Sequence, residues 1–160
     1  MNSQKSDKEV SEKENEKGYR CCNCNKLILF SKDIGTKHRN HCAFCLRSQH
    51  LDDKKSGDRK SKCKGCMQPI GLTFKQEGKD KYNKLKQGEL MIIHKCISCG
   101  KISINRIASD DNSNAILKVF EESKKLNSIE RKQLQEKEIY LLTNQDKEKI
   151  LIQLFGLPVA

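Results

Sequence analysis

The first eighteen residues hold only Met1 and Val10 as sizeable apolar side chains, set among Lys, Glu, Asp, Ser and Asn. Such a stretch cannot bury enough apolar surface to offset the entropy of ordering it, so residues 1–18 are expected to be a disordered charged tail. From Tyr19 the apolar residues come in short runs of strand length: Leu27-Ile28-Leu29-Phe30, Ile70 to Phe74, and Leu90-Met91-Ile92-Ile93. Ile102 and Ile104 then alternate with Lys101, Ser103 and Asn105, the two-residue period of a half-buried strand. Lys75–Gly88, rich in Lys and Gly, is expected to be an exposed loop. Leu46-Arg47-Ser48-Gln49-His50, directly after Cys45, fits either a strand or one helical turn.

Beyond Ile107 the apolar spacing becomes helical. Asp110-Asp111-Asn112-Ser113 supplies N-cap residues and favourable negative charge ahead of Ile116, Leu117, Val119 and Phe120. Asn127-Ser128 can cap a second helix, with Ile129, Leu134, Leu141 and Leu142 as its apolar contacts. Thr143-Asn144-Gln145-Asp146 resembles a capping box that opens a third helix, and Gly156-Leu157-Pro158 stops it. The predicted organisation is a tail over 1–18, a cysteine-bearing domain over 19–112 and a helical extension over 113–160.

The domain has few aromatic residues and no Trp, a poor composition for a self-sufficient small core. Cysteine spacing supplies the missing staple. Eight of the nine cysteines form four C-x-x-C pairs: Cys21/Cys24, Cys42/Cys45, Cys63/Cys66 and Cys96/Cys99. Two such pairs offer four thiolates in tight turns, the donor set of a tetrahedral structural zinc site. Four pairs therefore predict two Zn2+ ions, with iron in a rubredoxin-like cage as the alternative metal. A disulfide framework would need an oxidising compartment, and the N-terminus lacks the apolar stretch of a signal peptide. No apolar run is long enough to span a membrane, so the expected location is cytoplasmic. The expected fold class is small α+β: zinc-ribbon-like β-hairpins stapled by two metal sites, followed by C-terminal helices.

Three pairings of the cysteine pairs are open, and loop-closure entropy favours the sequential one. It places Cys21, Cys24, Cys42 and Cys45 on one ion and Cys63, Cys66, Cys96 and Cys99 on the other. Cys22 is left as the odd thiol. His94 is an alternative donor to Cys66 at the second site, while His38, His41 and His50 are expected to support sulfurs rather than bind the metal.

Gly35-Thr36-Lys37-His38-Arg39-Asn40-His41-Cys42-Ala43-Phe44-Cys45 resembles the signature of the RNHCP-domain family, named for an Arg-Asn-His-Cys-Pro string. Gly57-Asp58-Arg59, Pro69-Ile70, His94 with Cys96, Cys99-Gly100, Asn105-Arg106-Ile107-Ala108 and Asp110-Asp111-Asn112 extend the likeness over roughly residues 19–120. Ala43 departs from the Pro of the name. The resemblance implies metal binding and no particular reaction. In the family pattern Cys66 is less firmly fixed than the other knuckle cysteines, which keeps His94 as an alternative donor.

Charge points to a partner. Residues 19–107 hold 20 basic and 7 acidic side chains, whereas each flank is slightly acidic. A basic module attracts polyanions, so RNA or the ribosome is the expected partner, with Lys37, Arg39, Asn40, Arg47, Arg59 and Arg106 as phosphate- or base-contacting residues. Phe30, Phe44, Phe74, Tyr19 and Tyr82 are candidate stacking surfaces. A zinc-scaffolded protein-interaction module acting through the C-terminal helices is the rival. A metal-dependent nuclease or hydrolase using His38, His41 and Asp110 is a weaker one, since all-cysteine sites offer no open coordination position.

Overall fold

The computed structural model describes residues 18–29, 41–53 and 60–156. Residues 1–17, Phe30, Lys37, His38, Arg39, Asn40 and Arg59 lie outside the described residues, so most of the proposed RNA-contacting set falls there, as does the disordered-tail expectation except at Gly18, which is buried in a strand instead. What is described is a small α+β fold built from antiparallel strands and C-terminal helices.

Strands β1 (Gly18–Arg20) and β2 (Leu27–Leu29) pair antiparallel as a small hairpin. The main sheet has the order β3 (Ser48–Gln49), β4 (Cys66–Lys79), β5 (Leu85–Cys96), β6 (Ile102–Arg106), with every neighbouring pair antiparallel. The segment expected to be an exposed loop is instead the closed end of the long β4–β5 hairpin. Its turn is folded by Asp80, whose carboxylate accepts from the backbone N–H groups of Tyr82 and Lys84. A polar Lys/Gly sequence marks a solvated strand end as readily as a loop, and its β5 partner decides between them.

Pro69 sits inside β4, where it faces His94. The pairing then slips so that Gly71 faces Ile93, a bulge that accommodates Pro69 without disrupting the ladder further along. Gly71 has no side chain because Leu141 presses against it.

The β5 run Leu90 to His94 is buried on both faces of the sheet. One face carries Leu72, Leu90 and Ile92, covered by Ile116, Val119 and Phe120 of helix α1 (Ser113–Ser123), together with Leu142 and Ile150. The other carries Ile70, Ile93 and Ile102, covered by Leu134 of α2 (Ser128–Glu136). Helix α3 (Lys147–Phe155) follows a short 3-10 turn over Asn144–Asp146. The caps match the sequence signals: the Asn112 side chain accepts from Ala115 N–H, Asn127 and Glu130 form a capping box, and Gly156 closes α3 at φ 78°. Leu141 and Leu142 are not part of α2; they lie in the connector, where Leu142 N–H donates to the Leu72 carbonyl.

Candidate metal centres

Three of the four C-x-x-C segments share one backbone design. The first cysteine's N–H donates to the carbonyl five residues on, as in Cys21 to Lys26, Cys42 to Arg47 and Cys96 to Lys101, at 2.8–2.9 Å. The residue after the second cysteine turns left-handed and donates its N–H back to the first: Asn25, Leu46 and Gly100, at φ 59°, 62° and 79°. Asn and Gly take that conformation readily. Leu46 does so at a cost of about 1–2 kcal/mol, offset by burying its side chain completely in the main core. In the first two knuckles a backbone N–H also points at sulfur, Asn23 to Cys21 Sγ and Phe44 to Cys42 Sγ, both 3.4 Å.

The knuckle of the β1–β2 hairpin and the one preceding β3 bring Cys21, Cys24, Cys42 and Cys45 together, with all four sulfurs within 4.8 Å of one another. The Cys21–Cys45 and Cys24–Cys42 sulfur separations are 3.5 and 3.6 Å. A tetrahedral ion with metal–sulfur bonds of about 2.3 Å needs sulfurs about 3.8 Å apart, so the group fits one. Burial pushes the Cys42 thiol up to about 12 in the absence of a cation. A dication among the sulfurs is therefore what would hold all four as thiolates.

The second group is His50, Cys63, Cys96 and Cys99, again within 4.8 Å of one another. Cys63 and Cys96 sulfurs are 3.6 Å apart, and His50 Nδ1 lies 3.3 Å from Cys99 Sγ. The expectation of Cys66 as fourth donor is corrected here. The Cys63–Cys66 segment is not a knuckle: its left-handed residue is Lys64, and Met67 after it is already strand. Met67 faces Cys96 across the β4–β5 ladder, so side-chain alternation turns Cys66 to the opposite face of the sheet. There it is joined in a disulfide to Cys22, with Cα atoms 5.9 Å apart.

His50 takes the vacated place because its backbone is tied to the Cys63 loop. His50 N–H donates to Gly65 O, and Lys64 N–H to His50 O. Gly65 permits the approach: a Cβ there would lie 2.9 Å from Cys96 Sγ and 2.6 Å from Ser98 Oγ. From its position beside the second knuckle alone, His50 is expected only to support a sulfur. The available signal was weak: Met67, unlike Asn25 and Gly100, is a poor left-handed residue, but so is Leu46.

His94, the alternative donor, belongs to neither group. It is fully buried; its Nε2–H donates to Leu46 O at 2.7 Å and its Nδ1 accepts from Asn105 Nδ2 at 2.8 Å. Burial pushes its imidazole down to about 3, with His41 adding to the shift, so it stays neutral. His41 is also buried, 2.6 Å from Asp111 Oδ2, and the same oxygen accepts from Ala108 N–H. Asn112 N–H donates to Ala43 O. These contacts lock the second knuckle to β5 and to the start of α1. In the hydrolase scheme His41 would need to face a metal, yet its Nε2 is engaged with Asp111 inside the protein.

The RNHCP domain matches residues 16–117, more than half of the chain. The chain belongs to the RNHCP-domain family. Neither curated proteins nor solved structures give a match. Within this RNHCP domain, His41 and Cys42 of the signature divide the work: Cys42 joins the four-sulfur group and His41 braces it through Asp111. Of the proposed RNA-contacting residues, Arg47 is half-buried, and Arg106 Nε sits 2.9 Å from Glu89 Oε1. No helix among the described residues is long and apolar enough to cross a membrane.

Proposed function

We propose that this RNHCP domain is a non-enzymatic, cytoplasmic scaffold built on two Zn2+ ions that binds RNA, free or on the ribosome. The donor chemistry supports zinc: one S4 and one S3N set, each complete in four ligands, as structural zinc sites are. Such ions would leave the module strongly basic, because its excess of 13 positive charges is reduced by only 2 at the four-thiolate site and 1 at the other.

The observation that carries the RNA reading is a pairing of exposed rings with cations. Phe44 and Tyr82 are 55% and 71% exposed, and the Lys26 and Lys81 ammonium groups lie 4.0 and 5.0 Å from their ring centroids. Aromatic faces beside cations suit unstacked bases on a phosphate backbone. Tyr19 and Phe74 are part-buried and packed against cores, which leaves them less to offer. In the protein-interaction alternative the helices would act instead; exposed Ile129 and Phe155 favour it.

Binding of a single-stranded RNA should weaken with salt at a log–log slope of about −0.7 per phosphate contacted. Arg39→Gln or Arg59→Gln should flatten that slope, and Phe44→Ala should cost about 1–3 kcal/mol of affinity, all at unchanged metal content. Absence of binding at low salt, with partners recovered from cells surviving RNase treatment, would hand the function to the protein-interaction alternative.

A further inference from the structure

The Cys22–Cys66 bond has no part in either metal group, yet it touches both halves of the metal-binding architecture. Cys22 lies between the ligands Cys21 and Cys24 at the tip of the first knuckle, and Cys66 opens β4 three residues after the ligand Cys63. Cys22 is exposed and Cys66 half-buried, so the pair is open to small oxidants and reductants. The seven remaining cysteines are unbridged, and all seven belong to the two donor groups.

We propose that Cys22 and Cys66 form a reversible thiol–disulfide site, oxidised by hydroperoxides, that governs how firmly the first metal centre is held. In the first step the Cys22 sulfur attacks a peroxide oxygen. The O–O bond breaks, an alcohol or water leaves, and Cys22 becomes a sulfenic acid. Cys66 sulfur then attacks the sulfenic sulfur; the S–S bond forms, the S–O bond breaks, and water leaves with the Cys66 proton. Two thiols are oxidised by two electrons and one peroxide is reduced. A dithiol reverses the bond by exchange through a mixed disulfide. A metal-bound cysteine would react more slowly, since the ion takes up one of its sulfur lone pairs and lowers the nucleophilicity of the rest.

The consequence follows from connectivity. The β1–β2 hairpin supplies two of the four ligands of the first centre, and the crosslink anchors that hairpin's knuckle to β4. When a chelator competes for the ion, tethered ligands remain close and recapture it, whereas an untethered hairpin swings away. This second half rests on the proposed metal occupancy; the crosslink itself does not.

The test uses the full chain, reduced, metal-loaded and treated with a small excess of hydrogen peroxide. Peptide mapping without reductant should recover Cys22 joined to Cys66, with the mass lowered by two hydrogens and reversed by dithiothreitol. Bonds joining either residue to a cluster cysteine, or Cys22 driven to sulfinic acid with Cys66 still reduced, would overturn the site. On cadmium-loaded protein, cadmium NMR separates the four-sulfur from the three-sulfur centre during a chelator challenge. The first centre should empty roughly tenfold more slowly in the oxidised protein, and Cys22→Ser or Cys66→Ser should abolish the difference without lowering initial metal content. Equal rates in both redox states would overturn the control of metal retention, and failure to load any metal would instead sink the metal reading while leaving the mapped crosslink standing.

Discussion

His50 and Cys66 differ in one measurable respect: only the first has its donor atom grouped, within 4.8 Å, with the sulfurs of Cys63, Cys96 and Cys99. Cys63→Ser and His50→Ala should each cost about one metal equivalent by elemental analysis, while Cys66→Ser keeps both. Metal lost on replacing Cys66 but kept on replacing His50 would restore the four-cysteine assignment. The buried His41–Asp111 pair behaves differently. His41→Ala strands the Asp111 carboxylate away from water, so chemical denaturation should show a loss of about 3 kcal/mol. A stabilising or neutral effect would mean that the pair does not brace the knuckle.

Elements here are held by short-range features that single substitutions can probe. Asn112 both caps α1 and ties its start to Ala43, so Asn112→Ala should lower stability by about 1 kcal/mol, with Asn112→Asp largely restoring the cap. The Cys63 loop depends on a missing side chain. Gly65→Ala pushes a methyl against Ser98 and Cys96 and should weaken metal affinity at the second site by roughly tenfold or more, read by chelator competition. Unchanged affinity would mean that the loop yields at no cost to ligand geometry. Strand β5 shows why element type was easier to read than element length. Its apolar centre announced a strand, but its polar beginning gains a partner only when β4 folds back beside it.

On the scale of the whole molecule, the helices after residue 112 close the main core. Removing residues 113–160 strips Ile116, Val119 and Phe120 from Leu72, Leu90 and Ile92. Three such side chains contribute about 1.5–3 kcal/mol each, comparable with the roughly 5–15 kcal/mol that stabilises an ordinary domain. The truncated chain, metal-loaded, should lose its cooperative thermal transition or aggregate. A sharp transition at little-changed temperature would show that residues 19–112 fold by themselves.

What the sequence determined by itself is local: the C-x-x-C turns as a class, the caps at Asn112, Asn127 and Thr143, and the Gly156 stop, because each depends on neighbours a few positions away. Loop lengths between the pairs favour the sequential grouping among three, and the structure has that grouping with His50 in place of Cys66. Only the tertiary structure shows which residue completes the second donor group. Cys66 and Cys63 obey the knuckle spacing, but the β4–β5 register puts Cys66 on the far face of the sheet and backbone pairing carries His50 to Cys63. Register and loop pairing are set by contacts between segments distant in the chain, and the spacing of two cysteines carries no record of them.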